Sequence, residues 1–112
     1  MTVPVGVVPP CLTFFAEDGT IDEPRTRRHI EWLLDAGVDG LLGIGTCGEF
    51  SALDVAERER LAARLVEWAD GMPVYVGVMH TSTATAIRLA RHAELAGAAA
   101  VVSVAPYYSS PP

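Results

Sequence analysis

A chain of 112 residues, half of them hydrophobic and a fifth charged, has the size and composition of one folded domain, which excludes the disordered and fibrous classes. Its net charge of −6 and pI near 4.8 argue against nucleic acid as a partner, because a duplex-binding surface needs clustered cations to displace counterions. The single dense basic stretch, Arg25-Thr26-Arg27-Arg28, reads as a solvated helix start, and all eight Lys or Arg residues are arginine, so the chain has no lysine.

The start, Met1-Thr2-Val3-Pro4, lacks a basic region followed by an apolar one and does not read as a secretory signal. No apolar run approaches the roughly 20 residues that span a bilayer. A cytoplasmic protein with no membrane partner is expected. Cys11 and Cys47 could form one disulfide at most, and with no other sign of an oxidising compartment free thiols are expected.

Short runs rich in Val, Ile and Leu recur at roughly 30-residue spacing, the length of a strand–helix–strand unit. They predict four strands, at about 5–8, 41–44, 74–78 and 100–104. Their lack of polar alternation fits strands buried on both faces of a parallel sheet. Three helical patterns lie between them. The first opens at Asp22, with Pro24 in the tolerated first turn, places Ile30, Leu33 and Leu34 on one face, and ends at Gly37. The second opens at Asp54 with Glu57 three residues on, a capping-box spacing, and carries Leu61, Leu65 and Trp68 to Gly71. The third starts at Ser82 or Thr83, runs through Ile87, Ala90 and Ala93, and stops at Gly97.

Strict alternation of strand and helix means parallel strands joined by crossovers. A small doubly wound sheet would be complete at this length. A TIM (β/α)8 barrel needs about 250 residues, of which this chain would supply close to half.

Gly43-Ile44-Gly45-Thr46-Cys47-Gly48 matches the G-x-G-x-x-G pattern after a predicted strand. In a dinucleotide site the helix begins within those glycines and turns its amides to the pyrophosphate. Here the helix signals begin only at Asp54, and Glu49 would set a carboxylate beside the phosphate, so the dinucleotide reading is disfavoured.

A longer pattern is more specific. Gly45-Thr46-Cys47-Gly48-Glu49, followed by Leu53 and Glu57-Arg58, resembles the G-T-T-G-E…L…E-R signature of the dihydrodipicolinate synthase/N-acetylneuraminate lyase family. Thr13-Phe14-Phe15 with Gly19 and Ile21-Asp22 is similar to that family's opening, and Gly37-Val38-Asp39-Gly40 to the approach to its second strand. Pro73 to Gly77 resembles its third strand, Thr83 to Ala90 the following helix, and Pro106-Tyr107-Tyr108 the end of the fourth.

The resemblance implies a TIM barrel of which residues 1–112 form the N-terminal half of a single domain, with four strands, three helices and no second domain. It implies a Schiff-base lyase, aldolase or synthase acting on pyruvate or a related 2-keto acid, in which a lysine of the sixth strand attacks the keto carbon. That strand would lie beyond Pro112, and arginine is no amine nucleophile, so the chain alone is expected to be inactive. The resemblance makes Thr46 and Tyr108 catalytic, as members of a proton relay to which Tyr108 contributes across a dimer interface. It makes Thr46, Cys47 and Gly48 the carboxylate-binding residues, and it leaves Tyr107 to packing or an interface. It also implies a homo-oligomer, a dimer or tetramer.

Cys47 stands where the family usually has a second threonine, Phe14 replaces a proline, and Ser109-Ser110 replaces an Asn plus a basic residue. These departures keep 2-keto-acid aldolases and dehydratases open beside the lysine-biosynthetic synthase. A non-catalytic α/β module binding a small anion or a protein stands as the alternative function. His29 and His92 are expected exposed or half-buried on helices, and His80 at the end of the third strand lacks the spaced partners of a metal site. No metal and no cofactor is expected. Cys47 sits in a loop rich in amides, which favours a thiolate, but no adjacent base is visible in the sequence.

Overall fold

The computed structural model describes residues 6–108. Seven elements follow one another: helix α1 (Glu23–Asp35), strand β1 (Leu41–Gly43), a 3-10 turn (Phe50–Ala52), helix α2 (Val55–Ala69), strand β2 (Val74–Gly77), helix α3 (Thr83–Ala96) and strand β3 (Ala100–Val102).

The strands form a parallel sheet in the order β1-β2-β3, with Leu41 opposite Val74 and Tyr75 opposite Ala100. In place of a fourth strand, the chain from Val7 to Cys11 runs beside β1. The Asp39 amide donates to the Val7 carbonyl (2.8 Å), Leu42 to Pro9 (3.0 Å) and Cys11 to Leu42 (2.8 Å), with a parallel bridge between Pro10 and Leu42. Pro9 and Pro10 lack amide hydrogens, so this segment cannot sustain a ladder and lies at the edge of the sheet. Val5, in the predicted first strand, lies outside the described residues. The other three strands end one or two residues earlier than the apolar runs do.

The helix starts follow from their capping residues. Asp22 accepts from the Arg25 amide (3.0 Å), Ser82 accepts from the Thr85 amide (3.3 Å), and Asp54 and Glu57 close a reciprocal capping box at 2.8 and 3.0 Å. Each satisfies amides that the first turn leaves without a carbonyl partner. Thr26 is fully buried; its hydroxyl donates to the Asp22 carbonyl (2.8 Å) and accepts from the Phe14 amide (3.2 Å), stapling the loop before α1 to its first turn.

The core lies between the sheet and the helices. Ile30 and Leu33 from α1, Leu61, Leu65 and Trp68 from α2, and Leu89 and Ala93 from α3 pack with Leu41, Ile44, Val74 and Val76 from the sheet. Each fully buried aliphatic side chain contributes about 1.5–3 kcal/mol. Leu89 is buried and Ile87 is 47% exposed, because α3 packs on α2 through Leu89 and Ala93, and Ile87 falls off that line. Ion pairs also join the helices, Glu23 of α1 to Arg60 and Arg64 of α2 and Arg88 of α3 to Glu59 of α2. Being largely exposed, these pairs add little stability.

Candidate functional site at the ends of the strands

Residues at the C-terminal ends of parallel strands face the site in α/β folds, and the loop leaving β1 has unusual backbone there. Ile44 is buried and has φ 57, and Glu49 has the same φ. A β-branched residue in the left-handed region is strained by about 1–3 kcal/mol, and such strain concentrates at functional sites. The loop between them folds back on itself, Glu49 donating to the Thr46 carbonyl (3.1 Å) and Phe50 to the Gly45 carbonyl (3.2 Å). No helix starts at Gly45, and α2 begins only at Val55.

Two contacts fix the loop from beneath. The buried Thr13 hydroxyl donates to the Gly48 carbonyl at 2.8 Å. Gly77 at the end of β2 leaves room for the Ile44 carbonyl, which would lie 2.1 Å from a β-carbon at position 77. Gly48 is equally confined, its missing β-carbon falling 3.1–3.2 Å from backbone atoms of Ile44 and Cys11.

Thr46 and Cys47 stand exposed at the tip, and Gly48 is buried at its base. The amides of Thr46 and Cys47 and the Thr46 hydroxyl make no hydrogen bond to any described residue. The loop therefore offers two unused backbone donors and one hydroxyl, the chemistry that receives a carboxylate. Two outer clefts, of about 380 and 240 Å3, are lined by residues of α1, α2 and the turn before α1, none of them from this loop.

The segment after β3 reaches the same end of the sheet. The rings of Tyr107 and Phe50 meet edge to face, with centroids 5.8 Å apart and planes at 80°, which fits a packing role for Tyr107. Tyr108 has φ 78, is fully exposed and makes no hydrogen bond to Thr46 or to any other described residue. The sheet thus brings both sequence-derived groups to one end without joining their hydroxyls.

Arg58 belongs to the family-like signature, and no role follows for it from the sequence. It is 3% exposed, and its Nη1 and Nη2 donate to the carbonyls of Met79 (2.7 Å) and Gly77 (3.2 Å). The signal was available, since Arg58 precedes Leu61, Leu65 and Trp68 at helical spacing and occupies the buried stripe of α2. His29 is half-buried, its Nε2 accepting from the Leu12 amide at 3.0 Å, and His80 Nδ1 accepts from the Ser82 amide. Both thiols are free, Cys11 buried and Cys47 exposed. Among the described residues no three His, Cys, Asp or Glu side chains gather where they could share a metal ion.

Known proteins of similar sequence share this fold. An Escherichia coli protein named "Probable 2-dehydro-3-deoxy-D-pentonate aldolase" is 43% identical over 104 residues, covering 92% of this chain and 35% of that protein. A 4-hydroxy-tetrahydrodipicolinate synthase of Azoarcus is 44% identical over 107 residues, 95% of this chain and 37% of the enzyme. The crystal structure of YagE, a prophage protein of the dihydrodipicolinic acid synthase family from E. coli K12 in complex with pyruvate, superposes with a TM-score of 0.92 at 40% identity, covering 96% of this chain and 36% of that one. The chain spans little more than a third of the length of the relatives it matches, and its fold is the N-terminal portion of their (β/α)8 barrel. The model of the dihydrodipicolinate synthetase family matches residues 3–112, and the chain belongs to that family.

Proposed function

We propose that this chain forms the carboxylate-holding part of a Schiff-base lyase or synthase acting on pyruvate or a related 2-keto acid. The observation that carries the reading is the pair of unused amides at Thr46 and Cys47, presented at the strand ends by a turn strained at Ile44. Thr46, Cys47 and Gly48 hold the substrate carboxylate through backbone donors and the Thr46 hydroxyl. A hydrogen bond to a charged group contributes about 1.5–3 kcal/mol, so two amides alone support a Kd on the order of a millimolar.

The attacking group is a lysine amine, which these 112 residues do not contain. It adds to the keto carbon, water leaves, and the resulting iminium takes up the electron pair of the adjacent bond. Thr46 and Tyr108 are the catalytic residues of this chain and pass the protons, Tyr108 from a position exposed enough to serve a neighbouring copy. The working form is a cytoplasmic homo-oligomer in which residues 1–112 belong to one barrel domain. Relatives named as aldolases and as synthases match this chain about equally well, so the proposal names the 2-keto-acid class and no single substrate. No observation favours the non-catalytic module.

The test is titration of the nitrogen-15 labelled chain with pyruvate. Saturable amide shifts at Thr46, Cys47 and Gly48, absent with uncharged acetone, are expected. Unchanged amides in the loop would refute the assignment. Borohydride added to the same mixture, with the Met1 amine blocked, is expected to trap no adduct on any side chain.

A further inference from the structure

Arg58 is a buried cation without an acidic partner. Its guanidinium meets no carboxylate among the described residues, and its Nε is buried with no acceptor there. Burial holds its pKa below the ordinary arginine value. A desolvated charge in this state is costly, so the contacts it does make must compensate for leaving water.

Those contacts reach three separate loops at one end of the sheet. Two Nη atoms grip the carbonyls of Gly77 and Met79, where the chain leaves β2. The guanidinium carbon lies 5.5 Å from the centre of the Phe50 ring, in the 3-10 turn that follows the loop after β1. Phe50 in turn packs edge to face with Tyr107, beyond β3. A planar fork fixed on two carbonyls cannot rotate freely, and a desolvated cation is attracted to the face of an aromatic ring. The ring is therefore held at a set height, and Tyr107 is set by the ring.

We infer that Arg58 is a positioning residue that fixes the segment carrying Tyr107 and Tyr108 against the 45–49 loop. Its relevance to catalysis rests on the function proposed above, whereas the positioning is a property of the chain itself. Lysine cannot replace it, because one ammonium group cannot hold two carbonyls in plane and still face a ring.

NMR of the chain tests this. In the wild type, resolved Arg58 Nη protons coupled through hydrogen bonds to the Gly77 and Met79 carbonyl carbons are expected, with cross-relaxation between the Phe50 and Tyr107 rings. Arg58→Lys is expected to keep the dispersed amides of the sheet and lose the Phe50–Tyr107 signal. Phe50→Leu is expected to keep the Arg58 couplings and release Tyr107, and it decides alone if Arg58→Lys does not fold. Absent couplings in the wild type, an unchanged Phe50–Tyr107 contact in folded Arg58→Lys, or an undisturbed Tyr107 in Phe50→Leu would overturn the inference. Pyruvate shifts at Thr46 and Cys47 read the functional proposal independently, so either idea can fail while the other stands.

Discussion

At Gly77 the backbone of β2 meets the turn that shapes the candidate site. A β-carbon there would lie 2.1 Å from the Ile44 carbonyl, and backbone cannot step aside as a flexible side chain can. Gly77→Ala is expected to destabilise the fold by about 1–3 kcal/mol and to shift the Thr46 and Cys47 amides. A denaturant midpoint and a two-dimensional amide spectrum check both; an unchanged midpoint would contradict the close approach. The two thiols should separate just as clearly. Burial pushes the Cys11 thiol up to about 12, while Cys47 is exposed. Iodoacetamide at pH 8 is expected to modify Cys47 in the native chain and Cys11 only after unfolding, read by mass spectrometry. His29 gives the pH dependence. Burial holds its imidazole below the ordinary 6.5, and its Nε2 is committed to the Leu12 amide. The unfolded chain therefore binds a proton near pH 6.5 that the folded chain refuses. The stability from His29 is complete above that pH and is lost as pH falls below it, until the folded imidazole also protonates. Thermal melts between pH 7.5 and 5.5 should show this loss, and His29→Gln should show less of it.

The helices were legible because their signals are local. A capping aspartate or serine and a glycine stop act within one turn, so Asp22, Asp54 and Ser82 fix their helix starts whatever packs later. Asp54→Ala removes the side-chain acceptor of the Glu57 amide and keeps the backbone amide that donates to the Glu57 carboxylate; a loss of about 1 kcal/mol in denaturant melts is expected. Three of the four expected strands form; the first does not among the described residues, its apolar run having counted for more than the two prolines that follow it. The inner face of α3 was not legible in the sequence. Leu89 and Ile87 differ by two positions, and only the partner helix decides which of them is covered. The loop after β1 was legible from its motif, as was its place at the strand ends. Its support was not, because Thr13 to Gly48 and Arg58 to Gly77 and Met79 are bonds across 35, 19 and 21 residues, which no local pattern encodes.

On the scale of the molecule the sheet has two edges. β3 is only partly covered where β2 is buried, and Val101, Val104, Ile87 and Leu95 expose apolar surface near it. Val7, Leu12 and Trp32 do so at the other side. A closed barrel has no edges, and an open edge with apolar neighbours invites pairing. The chain is expected to self-associate with a concentration-dependent mass in sedimentation, and a monomer at all concentrations would contradict that. The arrangement of strands, the strained Ile44 and the unused amides all support the proposed anion cradle between Gly45 and Glu49. A structure of the chain with pyruvate tests that feature most directly. Carboxylate oxygens within about 2.7–3.2 Å of the Thr46 and Cys47 nitrogens are the expected result. Pyruvate seated instead in the clefts between α1 and α2, with the loop empty, would contradict it.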